Sequence, residues 1–83
     1  MTRPKKIKVQ YRKLGREWAW GQAYKGEDFI ELDPRLKGKR HLKVLVHELL
    51  HIVLPELSET VVDKASIRIG NTLWDEKYRR VED

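Results

Sequence analysis

The stretch KRHLKVLVHELLHIV, residues 39–53, decides the fold, because its apolar positions recur at helical spacing and two histidines recur with them. Leu42, Leu45, Val46, Leu49 and Val53 make one apolar stripe at ~3.6 residues per turn. Pro55 closes the helix, which is read as running from about Lys39 to Val53. His47 and His51 stand four apart, ~400° of rotation, so their imidazoles leave one face a single turn apart. That face lies opposite the main stripe, yet it also holds Val44 and Leu54, with Leu50 and Ile52 on its flanks. A helix that is apolar nearly all round is covered on two sides. One side is expected against a sheet and the other against a second helix, with the histidines in the crevice between the helices.

Working outward, the second helix follows a short loop. Ser58 suits its N-cap, and Glu59 falls in the first turn, where the helix dipole favours negative charge. Val61, Val62, Ala65, Ile69 and Leu73 form its expected buried stripe, and Gly70 and Asn71 weaken it locally. Ile67, Trp74, Tyr78 and Val81 form another stripe, which calls for a second neighbour or a second copy of the chain. Upstream, Ile7, Val9 and Tyr11 alternate with Lys8, Gln10 and Arg12, the period of a half-buried strand. Leu14-Gly15-Arg16-Glu17 reads as a turn. From Trp18 to Tyr24 one face carries Trp18, Trp20, Gln22 and Tyr24. The other carries only Ala19, Gly21 and Ala23, which allow another element to approach closely. Lys25-Gly26-Glu27-Asp28 is a hairpin signal, and Phe29 to Leu32 is a third strand ended by Asp33-Pro34. Sequential strands with short connections predict an antiparallel meander. The fold class is therefore α+β. A small N-terminal antiparallel sheet of about three strands packs on the motif helix and a second C-terminal helix. The 83 residues form one domain, with 1–5 and 80–83 expected to fray.

Composition narrows the chemistry. There is no cysteine, so disulfides and every thiolate metal site are excluded, and any metal must be held by histidine and carboxylate. A core this small is marginal, and a bound metal would add stability. The formal net charge is +5, with Arg3, Lys5, Lys6, Lys8, Arg12, Lys13 and Arg16 preceding the first acid, Glu17. A second basic group is Arg35, Lys37, Lys39, Arg40 and Lys43. Such groups are mostly solvated surface, and the basic N-terminal region is also a candidate contact for nucleic acid. No apolar run approaches the ~20 residues of a membrane span, and no apolar segment follows the basic N-terminus as a secretory signal requires. The expectation is a cytoplasmic protein without membrane contact, a monomer or weak dimer.

Two imidazoles at this spacing can both reach one tetrahedral Zn²⁺ at ~2.0–2.1 Å. Glu48 points aside from both, placed to take a proton from a metal-bound water rather than to ligate. A catalytic zinc keeps about three protein ligands and a water. His41 is six residues from His47, turned away from the histidine face, and is read as a surface residue. The acids after the motif rank Glu59 first, Asp63 second and Glu56 third, since an antiparallel second helix sets Glu59 opposite His51.

His47-Glu48-Leu49-Leu50-His51, followed by Pro55-Glu56-Leu57-Ser58-Glu59, resembles the zincins of the gluzincin type. More narrowly, it is similar to small phage- and prophage-encoded metallopeptidases, which show a strand, an Asp-Pro turn, the motif helix and a Ser-Glu helix start. Here the matching pieces are Phe29 to Pro34, the motif helix and Ser58-Glu59, covering about residues 21 to 74. The resemblance implies a zincin-like fold, one Zn²⁺ held by His47, His51 and Glu59, Glu48 as general base, and hydrolysis of a peptide or protein substrate. It also implies an upstream edge strand that pairs with the extended substrate, for which Phe29, Ile30, Glu31 and Leu32 are the candidates. The competing expectation is a basic nucleic-acid-binding or protein-interaction module in which zinc clamps two helices.

Overall fold

The computed structural model describes residues 5–15 and 19–81; Trp18, Arg3 and Arg16 lie outside them, as do residues 1–4 and 82–83 of the two ends. Three strands, β1 (Lys8–Tyr11), β2 (Gly21–Tyr24) and β3 (Phe29–Leu32), precede two helices, α1 (Gly38–Val53) and α2 (Glu59–Asp75). This is the expected α+β class, with the sheet on one side of α1 and α2 on another. Within the described residues, no helix is long and apolar enough to cross a membrane.

The sheet is mixed, and the meander expectation is corrected. The strand order is β1-β3-β2, with β1 parallel to β3 and β2 antiparallel to it. The β2–β3 hairpin forms where Lys25-Gly26-Glu27-Asp28 signals it: Gly26 and Asp28 take the positive φ values of 87° and 48°. β1, however, does not join β2. The chain after β1 crosses the end of β3, and Asp33 holds that crossing. Its fully buried carboxylate accepts from the Leu14 N–H at 3.2 Å and the Arg35 N–H at 2.9 Å. The Arg35 guanidinium adds bonds at 2.9 and 2.7 Å. The Arg35 side chain first, then the two N–H groups, hold the Asp33 carboxyl well below the usual carboxylate range against the opposing effect of burial. Leu14, read from sequence as part of a turn, is 1% exposed and belongs to the core.

Register puts Val9, Tyr11, Gly21, Ala23, Ile30 and Leu32 on the face toward α1. Ile30 and Leu32 are fully buried there, each contributing roughly 1.5–3 kcal/mol of burial free energy. On the opposite face, the nearly buried Glu31 accepts from Arg12 at 2.8 and 3.1 Å and from the Tyr24 hydroxyl at 2.6 Å. These hydrogen bonds, Arg12's first, lower the Glu31 carboxyl below its ordinary value.

The stripe of α1 holds at Leu42 and Val46, which are buried, whereas Val53 at the end is 61% exposed. In α2 the predicted stripe is displaced. Val61 and Ile69 are 47% and 41% exposed, and the buried line is Val62, Ser66 and Gly70. Small residues let the helices approach: a Cβ added at Gly70 would stand 2.8 Å from Lys43 Cγ and 3.3 Å from its Cα. The second stripe is largely open, with Ile67 48% and Tyr78 65% exposed. At the C-terminal end, Arg79 lies over the Trp74 ring at 3.6 Å and Arg80 over Tyr11 at 4.3 Å, so both fold back onto the domain.

Candidate metal centre

The turn after α1 positions the site. The Leu54 N–H bonds to the Leu50 carbonyl, Leu57 N–H to the Leu54 carbonyl, and Ser58 caps α2 by accepting the Val61 N–H at 3.2 Å. The chain thus reverses within five residues, 54–58, and the first turn of α2 returns beside the last turns of α1. Residues one turn apart on each helix then interleave along the seam, in the order His51, Glu59, His47, Asp63.

Glu59 Oε1 stands 2.8 Å from His47 Nε2, and Glu59 Oε2 3.1 Å from His51 Nε2. The two Nε2 atoms are 3.3 Å apart, and one ligand atom from each of the three residues falls within 4.8 Å of the others. Around an ion with bonds of ~2.0–2.1 Å, the edges of a tetrahedron measure about 3.3–3.4 Å. Lone-pair-bearing atoms brought this close repel one another unless protons or a cation sit among them. His47, His51 and Glu59 therefore form a group that can hold a metal ion.

The surrounding residues suit that role. Asp63 Oδ1 lies 3.2 Å from His47 Nδ1, an ion-pair distance on the side of the ring away from Glu59. Asp63, ranked second as a ligand, lies outside the group of three. His51 Nδ1 is buried and makes no hydrogen bond among the described residues. Glu56 is exposed in the turn and outside the group. Partial burial alone would raise the Glu59 carboxyl, but the charges of His51 and His47 and the hydrogen bonds to them hold it below its ordinary value.

Glu48 is 8% exposed and is not one of the grouped atoms. Burial pushes its carboxyl up to about 7, with the His47 charge opposing and Glu59 reinforcing. Gly21 makes its place: a Cβ there would sit 2.9 Å from Glu48 Cγ, 2.9 Å from Val44 Cγ1 and 3.0 Å from Glu48 Oε2. The small-residue face of β2 is what lets α1 come this close. Two cavities open on the group and share Gly21, His47, Glu48 and Glu59. One, of about 560 Å³, runs toward Trp20 and Lys43; the other, of about 320 Å³, runs toward Ala23 and Lys25.

Two expectations are corrected. Phe29, Ile30, Glu31 and Leu32 do not form an edge: β3 is central, paired on both sides, so it has no free edge to receive a peptide. The edge strand bordering the site is β2. His41 is no surface residue; it is 6% exposed and its Nε2 bonds to the Tyr11 hydroxyl at 2.8 Å. Sequence carried no local signal for this pair, because its members are thirty residues apart. No protein-family model matches the chain, and neither a curated protein nor a solved structure does.

Proposed function

We propose that this protein is a zinc-dependent peptidase, with His47, His51 and Glu59 as ligands and Glu48 as general base. The observation that carries the reading is the convergence of these three donors, 2.8, 3.1 and 3.3 Å apart, beside a buried carboxylate and an open cleft. The His₂Glu donor set is that of zinc hydrolases, and among the described residues the group has three donors where a structural site closes with four. When bound, zinc acidifies a water and polarises the scissile carbonyl.

The remaining work falls to the chain's own groups. Asp63, 3.2 Å from His47 Nδ1, favours the His47 tautomer that offers Nε2. Glu48, on the turn that carries His47 and walled by Gly21, accepts the proton of the attacking water and returns it to the leaving amine. The outer edge of β2 borders the cleft and can bind an extended peptide by strand addition, the role expected of Phe29 to Leu32.

The test is Glu48→Gln in protein reconstituted with zinc, assayed on a library of quenched fluorogenic peptides. Hydrolysis should fall ~10²–10⁴-fold while zinc content and melting temperature are retained. Zinc-loaded wild type that cleaves no peptide, or a Glu48→Gln variant as active as wild type, refutes the peptidase reading and leaves zinc as a clamp between helices.

A further inference from the structure

Lys43, His47 and His51 occupy successive turns of one face of α1. At the two histidine rungs, α2 supplies carboxylates, Glu59 and Asp63. Beyond them α2 offers Lys43 no acid of its own: Ser66 and Ile67 share its cavity and Gly70 meets its stem, while Asp63 of the same cavity stands 3.2 Å from His47. Lys43 is half-buried, and its ammonium makes no ion pair among the described residues. Its stem is set by Gly70, against whose missing Cβ its Cγ packs. It lines the larger cavity, about 560 Å³, together with Trp20, Val44, His47 and Glu48. Beside it, the Trp20 ring carries the Arg40 guanidinium at 4.1 Å and that of Arg35 at 5.1 Å. The acids of that cavity are engaged elsewhere, Glu59 and Asp63 with the histidines and Glu48 beneath Gly21.

A half-buried lysine one helical turn along α1 from His47, in the cavity wall and with no ion pair among the described residues, offers a site for an anion that arrives with the substrate. We infer that Lys43 is a specificity-determining residue that binds a carboxylate next to the scissile bond, so the substrates are peptides with an acidic side chain or a free C-terminus at that position. The inference rests on the peptidase reading. Lys43 holds the carboxylate, Trp20 and Ile67 wall the cavity around it, and Arg40 on the Trp20 ring adds to the positive potential, whereas Arg35 is paired with Asp33.

The test is binding of small hydroxamates to the zinc-reconstituted protein by calorimetry. Acetohydroxamate reports the metal alone. Three N-hydroxysuccinamoyl probes are matched in length: one with a glutamate side chain and an amidated end, one with glutamine and a free C-terminal carboxylate, and one with glutamine and an amidated end. At least one carboxylate probe should bind about tenfold tighter than the neutral one, and which of the two does so distinguishes side chain from C-terminus. Lys43→Gln and Lys43→Met, the latter keeping the stem on Gly70, should both erase the preference and leave acetohydroxamate binding unchanged. Equal binding of the three probes by wild type, or a preference that survives in both variants, overturns the assignment while the metal site stands. Failure of acetohydroxamate to bind overturns the metal reading beneath it.

Discussion

Gly21→Ala is the most direct probe of how the sheet and the motif helix meet. Gly21 does not take a positive φ, so alanine fits the backbone and would ordinarily stabilise by ~0.4–1 kcal/mol through the unfolded chain. The structure opposes this. The added methyl would lie 2.9 Å from both Val44 Cγ1 and Glu48 Cγ, whereas carbon atoms rest at about 3.5–4.0 Å. Val44 is β-branched and held to essentially one rotamer in a helix, so relief must come from a shift of β2 or from Glu48 swinging aside. Overpacking of this kind costs ~1–3 kcal/mol, which outweighs the entropic gain and leaves a net loss of roughly 1–2 kcal/mol. For a domain of this size that is a melting temperature lower by about 5–15 °C. Thermal unfolding followed by circular dichroism, in chelator so that metal binding does not mask the change, measures it. Adding Val44→Ala should restore part of the loss, because it removes one of the colliding carbons. A Gly21→Ala protein that melts at or above the wild-type temperature would refute the argument that this glycine makes room for α1.

Two further outcomes follow from the same geometry. Zinc at ~100 times its dissociation constant should stabilise the fold by about 2.7 kcal/mol, and chelator should remove that increment. Replacing His47, His51 or Glu59 by alanine should abolish the zinc-dependent rise in melting temperature, and a rise that persists in all three would place the ion elsewhere. The lowered Asp33 carboxyl gives a pH dependence of definite sign. Its folded pKa is depressed, so its contribution is complete above the unfolded value of about 4 and is lost as pH falls toward the folded value. Asp33→Asn should be less stable than wild type at pH 7, with the gap narrowing as denaturant titrations are taken below about pH 4. A gap that stays constant to low pH would show that the Asp33–Arg35 pair does not couple to folding.

What the sequence determined by itself was local. The strand around Val9, the Lys25 to Asp28 turn, the end of β3 at Asp33, the helix read over about 39–53 and the Ser58 cap each depend on neighbours within a few positions, although the alternation did not bury Val9. The pairing of His47 with His51 belongs to this class, since an i, i+4 spacing fixes their separation on any helix. Glu59 was also legible, because a short turn leaves the returning helix little choice of where to begin.

Only the tertiary structure decided which surfaces meet. Periodicity says which side of a strand is apolar but not which strand lies beside it. The long connection held by Asp33 carried β1 past β2, made β3 central, and left β2 as the edge beside the cleft. Apolarity likewise marked Val61 and Ile69 for burial, but helix approach is limited by side-chain size, so Ser66 and Gly70 took the seam and those two stayed largely exposed. The buried His41–Tyr11 contact and the Glu31 network join residues far apart in the chain, and no local pattern encodes them. Helices and turns are selected by short-range sterics and hydrogen bonding, whereas strand order and close approach depend on how distant surfaces fit.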